Sequence, residues 1–454
     1  MLRRIVILYW TKDINSKQWK TFIAAFFGWT LDAMDLLLYV FAFKFIAQTF
    51  DISGTQAALL FSITLASSAL GGIVFGIISD YIGRVKALTY SILIYSLFTM
   101  LSAFAPDIWF FVVCRFLLGL GMGGEWASGE ILVAESWPKQ HRGKVVGMVQ
   151  SGWGFGFIFA AILATFVLPI DTFNLNMLPF VTTDFPVESW RVLFFLGVIP
   201  AFLVFYVRRV CEEPEIWKKS AEERTKTKQE FTFLEIFNSG EIRPMLIKAT
   251  LLTSFCMISY WGLSYFVPNY LASPISEGGA GLGIVKGFGF TIPLNIGAIL
   301  GCISFGLISD RIGRKTTFGA YLIIVALLVP IFGNIVSIQQ FLGFISLDAL
   351  VLIIAPLLGF FATGFYSGFG AIFAEIFPTR ARGTAQGFSY NVGRGASAIA
   401  PPLFAFVAVS SFAFLFNGEI IGNGRALMVA SIFAICAFFV LLTLPETKGK
   451  DLSD

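Results

Sequence analysis

Two acidic residues three positions apart stand inside a long apolar run near the start of the chain. The run contains Gly28-Trp29-Thr-Leu-Asp32-Ala-Met-Asp35. Residues three apart share one face of a helix, and a charge at the centre of a lipid bilayer costs at least ~2.5–3.5 kcal/mol. Two neighbouring carboxylates hold a proton more readily than one alone. This pattern suits a proton carrier, and the alternative is a static ion pair with a neighbouring helix.

Three further charged residues lie inside apolar runs. Arg115 and Glu125 share one run, where Arg115 can offset the charge of the two aspartates and Glu125 is a second candidate proton site. Arg394 lies about ten residues into a later run, so it is expected near mid-membrane and must face a cavity. The forked donors of arginine suit an anionic group; an interhelical salt bridge is the alternative.

Polar and aromatic residues in the same runs are candidates for lining that cavity. Tyrosine and tryptophan also form belts at membrane interfaces, which leaves a second explanation for the aromatic members. The candidate substrate-binding set is Arg394, Tyr390, Asn391, Gln150, Trp153, Tyr260, Tyr265, Asn269, Asn295 and Tyr366.

The elements that must position these residues are membrane helices. The 454-residue chain is 57% hydrophobic and only 13% charged, whereas a soluble domain has about a quarter charged residues. About 20 apolar residues span a bilayer. We therefore predict an all-α membrane protein with twelve spans, at 21–48, 56–79, 87–105, 108–133, 145–168, 191–208, 246–271, 284–309, 317–336, 347–374, 384–413 and 425–444.

The basic residues indicate how the spans are oriented. All but six of the 32 Lys and Arg fall in the N-terminal segment, the even-to-odd loops, the middle loop and the C-terminal segment. Cytoplasmic loops hold the Lys/Arg excess, so both termini are expected to be cytoplasmic in a multi-pass cell-membrane protein. The net charge of +4 then reflects topology, and we expect no nucleic-acid partner.

Two sequence echoes show that the chain is built from two related halves. Gly76-Ile-Ile-Ser-Asp-Tyr-Ile-Gly-Arg returns as Gly306-Leu-Ile-Ser-Asp-Arg-Ile-Gly-Arg, and Ala134-Glu135 returns as Ala374-Glu375. Internal repeats in a membrane protein are typical of secondary transporters. The predicted division is an N-terminal six-helix bundle (1–208), cytoplasmic linker helices (209–243) and a C-terminal six-helix bundle (244–454).

Catalytic and cofactor patterns are weak or missing. Gly119, Gly121 and Gly124 form a G-x-G-x-x-G, but no strand precedes it, and close packing of membrane helices explains it better than a dinucleotide site. We find no P-loop, metal cluster or nucleophile–base constellation, so we expect no enzyme activity, cofactor or metal. A transporter-like sensor and a channel remain alternatives; a sensor would normally have long signalling tails, and a channel would show uptake that does not saturate.

The paired G-x-x-x-D-x-x-G-R motifs resemble those of the major facilitator superfamily, across essentially the whole chain. The resemblance implies twelve helices in two bundles and cytoplasmic gating by residues at the motif ends. An Asp at a helix end can pair with a facing Arg, and breaking that contact permits rocking. The candidate gating residues are Asp80, Gly83, Arg84, Glu135, Arg142, Asp310, Gly313, Arg314, Glu375 and Arg382.

Smaller motifs indicate the branch. The run from Arg115 to Gly123 and Pro445-Glu-Thr-Lys-Gly449 resemble sugar porters, whereas Gly28-Trp29 with the two aspartates and Tyr390-Asn391-x-Gly-Arg394 are more similar to sialate/lactate–proton symporters. The resemblance therefore implies a proton-coupled importer of a small organic acid, such as a monocarboxylate. The alternatives are a proton-coupled sugar porter and, less favoured, a proton-driven efflux antiporter. We expect a monomer.

Overall fold

The computed structural model describes residues 14–138, 142–170, 172–174, 186–215, 218, 235–377, 382–410 and 422–447. Five candidate gating side chains lie outside this description: Asp80, Glu135, Arg142, Asp310 and Arg382. Most of the predicted linker, 209–243, lies outside it as well; a short helix, Glu235–Asn238, belongs to its described part. Below, "inner" and "outer" name the membrane sides predicted from the Lys and Arg distribution.

Six helical spans form the first half of the chain. The sixth is interrupted by a 3-10 turn at Leu196–Val198, just ahead of Pro200. The spans are α1 Ser16–Thr49, α2 Gly54–Ile82, α3 Arg84–Ser102, α4 Ile108–Ser136, α5 Arg142–Val167, and α6 Ser189–Phe195 with Ile199–Val210. Between α5 and α6 the outer loop forms a small antiparallel pair that the sequence analysis did not predict, β1 Thr172–Asn174 with β2 Pro186–Glu188.

Six more spans form the second half, and four of them are interrupted. A short helix, Ile335–Leu342, lies between the ninth and tenth, and 3-10 turns occur at Ile275–Glu277 and Ser397–Ile399. The spans are α7 Ile242–Ala272, α8 Gly283–Gly289 with Thr291–Ile312, α9 Arg314–Gly333, α10 Leu347–Gly364 with Tyr366–Ile376, α11 Arg382–Ala396 with Ala400–Val409, and α12 Gly422–Ala426 with Met428–Leu442.

The surface of the bundle is built for lipid. Within the described residues, eleven helices are long and apolar enough to cross a membrane, and the 34-residue α1 packs among them. Large apolar side chains point outward, including Trp109, Phe166, Phe205 and Phe439, each more than 60% exposed. Exposed apolar surface of this extent indicates a bilayer environment, and the prediction of a multi-pass, all-α membrane fold is confirmed.

Glycines allow matching helix pairs in the two halves to pack closely. In the first half, a Cβ on Gly71 would collide with the carbonyl of Leu120, and one on Gly123 with that of Ser68. In the second half, a Cβ on Gly297 would collide with the carbonyl of Pro356. The α2–α4 and α8–α10 contacts are therefore related packings. A Cβ on Gly119, Gly121 or Gly124 would likewise collide with Ser67, Tyr95 or Phe75 of the neighbouring helices α2 and α3, so helix packing accounts for the G-x-G-x-x-G pattern, as predicted.

Among the described residues, the two halves meet through several helix pairs. Across this interface α5 packs on α8, α2 on α11 and α1 on α7. At the outer side Lys44 Nζ donates to Ser273 Oγ (2.6 Å), Asn269 Nδ2 donates to the carbonyl of Val40 (2.9 Å), and the ring of Phe41 packs edge-on against Phe288. These contacts close the outer end of the interface.

Candidate substrate and proton site

A central cavity lies between the two halves. Helices α1 and α5 of the first half and α7, α8, α10 and α11 of the second supply its wall. Six of the ten predicted substrate residues line it: Gln150, Trp153, Tyr260, Tyr366, Tyr390 and Arg394. The structure adds Trp29, Met257, Trp261, Cys302 and Thr363 to this wall.

Aromatic rings hold the cavity wall in place. Trp153 stacks at a tilt on Trp29 (4.9 Å between centroids) and edge-on against Trp261 (5.5 Å). Its indole Nε1 donates to the hydroxyl of Tyr260 across the interface between the halves (2.5 Å). The Tyr260 ring packs in turn against Tyr366 at 4.9 Å. The cavity therefore offers flat apolar faces fixed by a hydrogen bond that joins α5 to α7.

Arg394 brings a cation to this apolar wall. Its side chain is 3% exposed, and its Nε and Nη2 atoms are buried with no hydrogen-bond partner among the described residues. Asp32 carries the opposite charge and interacts electrostatically with Arg394. Among the described residues, no carboxylate oxygen lies within 4.0 Å of the Arg394 guanidinium, the limit for a salt bridge. Asp32 stands one helical turn from Trp29, so it faces the same region of α1.

Asp35 and Arg115 form a second charged group deeper in the first half. Asp35 lies beside Thr99 of α3 and interacts electrostatically with Arg115. Arg115 is fully buried, donates from Nε to Thr64 Oγ1 (3.0 Å), and places its guanidinium 4.8 Å from the centre of the Tyr39 ring. Its two terminal nitrogens have no hydrogen-bond partner in the described structure. Asp35 and Arg115 therefore interact through their charges without forming a salt bridge within 4.0 Å.

Tyr95 of α3 joins the acidic residues, and the sequence analysis missed it. Its hydroxyl lies 3.4 Å from the carbonyl of Gly28 and interacts with Asp32, Asp35 and Glu125. Glu125 is packed against the same point of α1, because a Cβ on Gly28 would lie 2.6 Å from its Oε1. Three acids and one hydroxyl therefore share the space between α1, α3 and α4. A tyrosine on an apolar helix carries no sequence signal that would have marked it.

Four predicted substrate residues lie elsewhere. Asn295 lines a neighbouring cavity, which also touches Tyr260. Asn269 is satisfied by the main chain, and Tyr265 packs on Phe61 with ring centroids 5.2 Å apart. Asn391 Nδ2 donates to the carbonyl of Gly387, and its amide touches α2, where a Cβ on Gly72 would collide with it.

The two repeated motifs form the same turn in both halves. Gly83 and Gly313 have a φ of 108°, which an L side chain rarely adopts. In the first half, Glu213 accepts hydrogen bonds from the backbone N–H groups of Arg84 (2.7 Å), Val85 (3.1 Å) and Lys86 (3.3 Å). This carboxylate, from the segment after α6, therefore caps the start of α3, where the helix dipole favours negative charge.

Glu446, from the segment after α12, caps α9 in the same way. It accepts from the backbone N–H groups of Arg314 (2.8 Å) and Lys315 (3.2 Å). The Arg314 side chain also donates to Ser309 Oγ and lies 3.5 Å from Glu375. The two repeated sequences of the second half, which contain Arg314 and Glu375, therefore contact each other. The sequence did not mark either capping glutamate as a gating residue.

The described wall of the cavity has the composition of a small-molecule site and no cluster of metal ligands. Among the described residues, no three His, Cys, Asp or Glu side chains converge to hold an ion. The wall combines one cation, several hydrogen-bonding groups and flat aromatic faces, which is the usual composition of a small-molecule site.

Twelve membrane helices in two repeated sets, with a cavity between them, define a membrane transporter. The chain belongs to the Major Facilitator Superfamily, whose family model matches residues 21–401. It is 30% identical over 439 residues to the cis,cis-muconate transport protein of Acinetobacter baylyi, covering 96% of each chain. It is 29% identical over 444 residues to the sialic acid transporter NanX of Escherichia coli, covering 97% of each.

A solved structure supports the same fold. The crystal structure of a D-xylose–proton symporter superposes with a TM-score of 0.72 over 96% of this chain and 100% of that one. The two sequences are 19% identical, so the likeness concerns the fold alone. The predicted family and the expectation that the chain is a transporter and not an enzyme are confirmed.

Proposed function

We propose that this protein is a proton-coupled symporter that imports a small organic acid, such as a monocarboxylate, by alternating access. The observation that carries the proposal is the buried Arg394 guanidinium in the wall of the central cavity, with two donor atoms lacking partners. A carboxylate would satisfy both donors in a fork-shaped pair. Relatives named as muconate and sialic acid transporters support an acidic substrate.

Coupling to protons rests on the acids of α1. Asp35, with Asp32, takes a proton from outside, Arg115 compensates the charge when that site is empty, and Glu125 is a second titrating site. Asp32 interacts with the same arginine that would bind the substrate. When a carboxylate occupies Arg394, Asp32 loses part of the cation's field, which favours its protonation. An anion and a proton would therefore enter together with little net charge in the low-dielectric pathway.

Alternating access requires the halves to separate at one side and close at the other. The outer contacts of Lys44, Asn269 and Phe41 support a state closed on the outer side. In our proposal the two bundles, 1–208 and 244–454, rock about the central cavity, the segment 209–243 links them, and the repeated motif residues gate the inner side. Both termini face the cytoplasm, and one chain is the functional unit.

A proton-coupled sugar porter is the alternative, supported by the Pro445–Gly449 motif. Sugars are held by many hydrogen bonds from amides and hydroxyls, whereas this wall is dominated by tryptophan and tyrosine rings with a cation. The D-xylose symporter shares the fold. The cavity composition therefore favours the organic acid.

Asp35→Asn tests the coupling. We reconstitute the protein in vesicles and screen lactate, pyruvate, sialic acid, benzoate and xylose for uptake with an inward proton gradient. For one proton per substrate, a gradient of one pH unit supports accumulation of about tenfold. We expect Asp35→Asn to abolish this accumulation while substrate exchange partly survives.

Asp348→Asn is the matched control. Asp348 lies on the outer surface in an exposed pair with Lys286 (2.9 Å), so its loss should leave accumulation intact. Unchanged accumulation in Asp35→Asn would remove Asp35 from the mechanism. Uptake of xylose in preference to every acid would support the sugar-porter alternative.

A further inference from the structure

A second cavity adjoins the central cavity. It lies between α7, α8 and α10, and it shares Tyr260 and Thr363 with the central cavity. We call it the side pocket. Its wall includes Leu263, Asn295 and Ala362, and no step of the proposed transport cycle uses it.

The side pocket is formed almost entirely by the second half. Apart from Phe157 of α5, all its lining residues come from α7, α8 and α10. The pocket therefore has the geometry of a compartment that holds one part of a ligand.

Tyr260 stands at the border of the two cavities. Trp153 holds its hydroxyl by the 2.5 Å hydrogen bond, and the Tyr366 ring packs against it. The tyrosine ring is therefore fixed, and it contributes to both walls. A ligand that extends past this ring contacts Arg394 at one end and the side pocket at the other.

One polar atom in the wall of the side pocket has no hydrogen-bond donor among the described residues. Asn295 is 2% exposed, and its Nδ2 donates to the carbonyl of Thr291 (2.9 Å). Only the amide nitrogen can make that bond, so it fixes the orientation of the side chain. Its carbonyl oxygen accepts no hydrogen bond from any described residue. The rest of the wall is largely apolar, from Phe157 and Leu263 to Ala362.

We propose that the side pocket selects the substrate of the proposed symporter. The transported acid places its carboxylate at Arg394, passes a flat apolar body along Tyr260, and ends in a hydroxyl or N–H group that donates to Asn295 Oδ1. The substrate class is thus an aromatic or conjugated carboxylic acid with a distal hydrogen-bond donor. This inference rests on the proposed function and narrows it, because compact acids such as lactate reach only the central cavity.

Matched pairs of acids test the assignment. The pairs are benzoate with 4-hydroxybenzoate, phenylacetate with 4-hydroxyphenylacetate, and 3-phenylpropionate with its 4-hydroxy derivative, so that the donor reaches three depths. Kd values are measured by calorimetry on the purified full-length protein. In the best-fitting pair we expect the hydroxylated acid to bind about fivefold more tightly, since it adds one hydrogen bond to Asn295 Oδ1.

Asn295→Leu keeps the volume of the side chain and removes the acceptor. We expect the ratio of the two Kd values in that pair to fall to about one. An unchanged ratio in Asn295→Leu, or equal binding within every pair in the wild type, overturns the side-pocket assignment. If the wild type binds none of these aromatic acids but imports lactate, pyruvate or sialic acid, the side-pocket assignment fails while the proposed function stands, so the two failures are distinguishable.

Ala362→Leu provides a second test that does not depend on Asn295. The added methyl groups fill the side pocket, so affinity should fall more for the longest pair than for benzoate. Ala326→Leu on α9, which lies outside both cavities, is the matched control for a larger side chain in a membrane helix. An equal loss of affinity for acids of all lengths in Ala362→Leu would contradict a length-selective compartment.

Discussion

Replacing Arg394 with glutamine should separate substrate binding from structural support. The guanidinium is 3% exposed, and two of its nitrogens are buried without hydrogen-bond partners in the described structure. A buried polar group left unsatisfied costs about 1–3 kcal/mol. If Arg394 binds the substrate as proposed, we expect the arginine to destabilise the empty protein and a bound carboxylate to remove the penalty. We expect Arg394→Gln to unfold at the same temperature as the wild type or at a higher one when no ligand is present.

The loss of binding follows from the same two nitrogens. A hydrogen bond to a charged group contributes about 1.5–3 kcal/mol, and 1.4 kcal/mol changes Kd tenfold. Losing one such bond should raise Kd for the acid at least about tenfold, and losing both by about 100-fold or more. Arg394→Lys keeps the charge and loses the fork, so its Kd should lie between those of the wild type and Arg394→Gln.

Thermal unfolding with and without benzoate, together with calorimetric Kd values, measures both effects. A ligand stabilises in proportion to the logarithm of its concentration over Kd, so the benzoate-induced rise in Tm should vanish in Arg394→Gln. Arg191→Gln is the matched control, because Arg191 pairs with Glu188 (2.7 Å) and donates to the carbonyls of Ala103 and Ala105. It should lose stability and keep its affinity. If Arg394→Gln behaves like this control, Arg394 is structural and the reasoning fails.

Two further changes probe the repeated turn and the aromatic wall. Gly313→Ala should destabilise the protein by about 1–3 kcal/mol, because the φ of 108° at this position disfavours a side chain. The new Cβ would also lie 2.7 Å from the carboxylate that caps α9. Gly147→Ala is the control: its Cβ would meet nothing within 4 Å, so it should not lower Tm. Trp153→Phe should weaken binding of the acid about two- to tenfold, since it removes a hydrogen bond to Tyr260. The lipid-exposed Trp109→Phe should leave Kd unchanged, and an unaltered Kd in Trp153→Phe would show that the bond does not shape the cavity.

The membrane spans could be predicted because the bilayer imposes a length and an apolar composition on each one. The errors lie at the ends. The span predicted at 87–105 begins at Arg84 and that at 317–336 at Arg314, because charged residues at a helix start lower the hydropathy without ending the helix. Phe290 divides the eighth helix into Gly283–Gly289 and Thr291–Ile312. A break of one residue leaves the apolar run intact, so hydropathy does not reveal it.

The cavity was only partly predictable, because polarity identifies a residue that needs a partner but not which partner it has. Arg394 and Tyr260 line the cavity, as the sequence suggested. Asn269 is equally polar and equally deep in a helix, yet the carbonyls of Val40 and Tyr265 satisfy it. Which of the two outcomes applies depends on how neighbouring helices are rotated, and the sequence of one helix does not contain that information.

The capping glutamates show a different limit of sequence reasoning. Glu213 stands among many charged residues after the sixth span, and nothing local distinguishes it from Glu212. Only the folded chain brings it to Gly83, which is 130 positions earlier and leaves no room for a Cβ beside the carboxylate. Glu446 occupies the equivalent place at Gly313. Comparing the segments after the two halves, and not only the motifs themselves, would have provided a signal.

These contacts indicate which parts of the molecule separate during transport. Glu213 and Glu446 each accept two or three backbone hydrogen bonds, so each ties a chain segment firmly to its own half. The outer interface depends on weaker single contacts: the Lys44–Glu277 pair is exposed at 3.5 Å and contributes about 0–1 kcal/mol, and the bond from Asn269 to α1 contributes about 1 kcal/mol. A ligand that binds the outward-open state more tightly than the closed one by a few kcal/mol would offset the opening of the outer contacts while both caps stay closed. We therefore expect the halves to move as units, with these outer contacts breaking when the cavity opens outward.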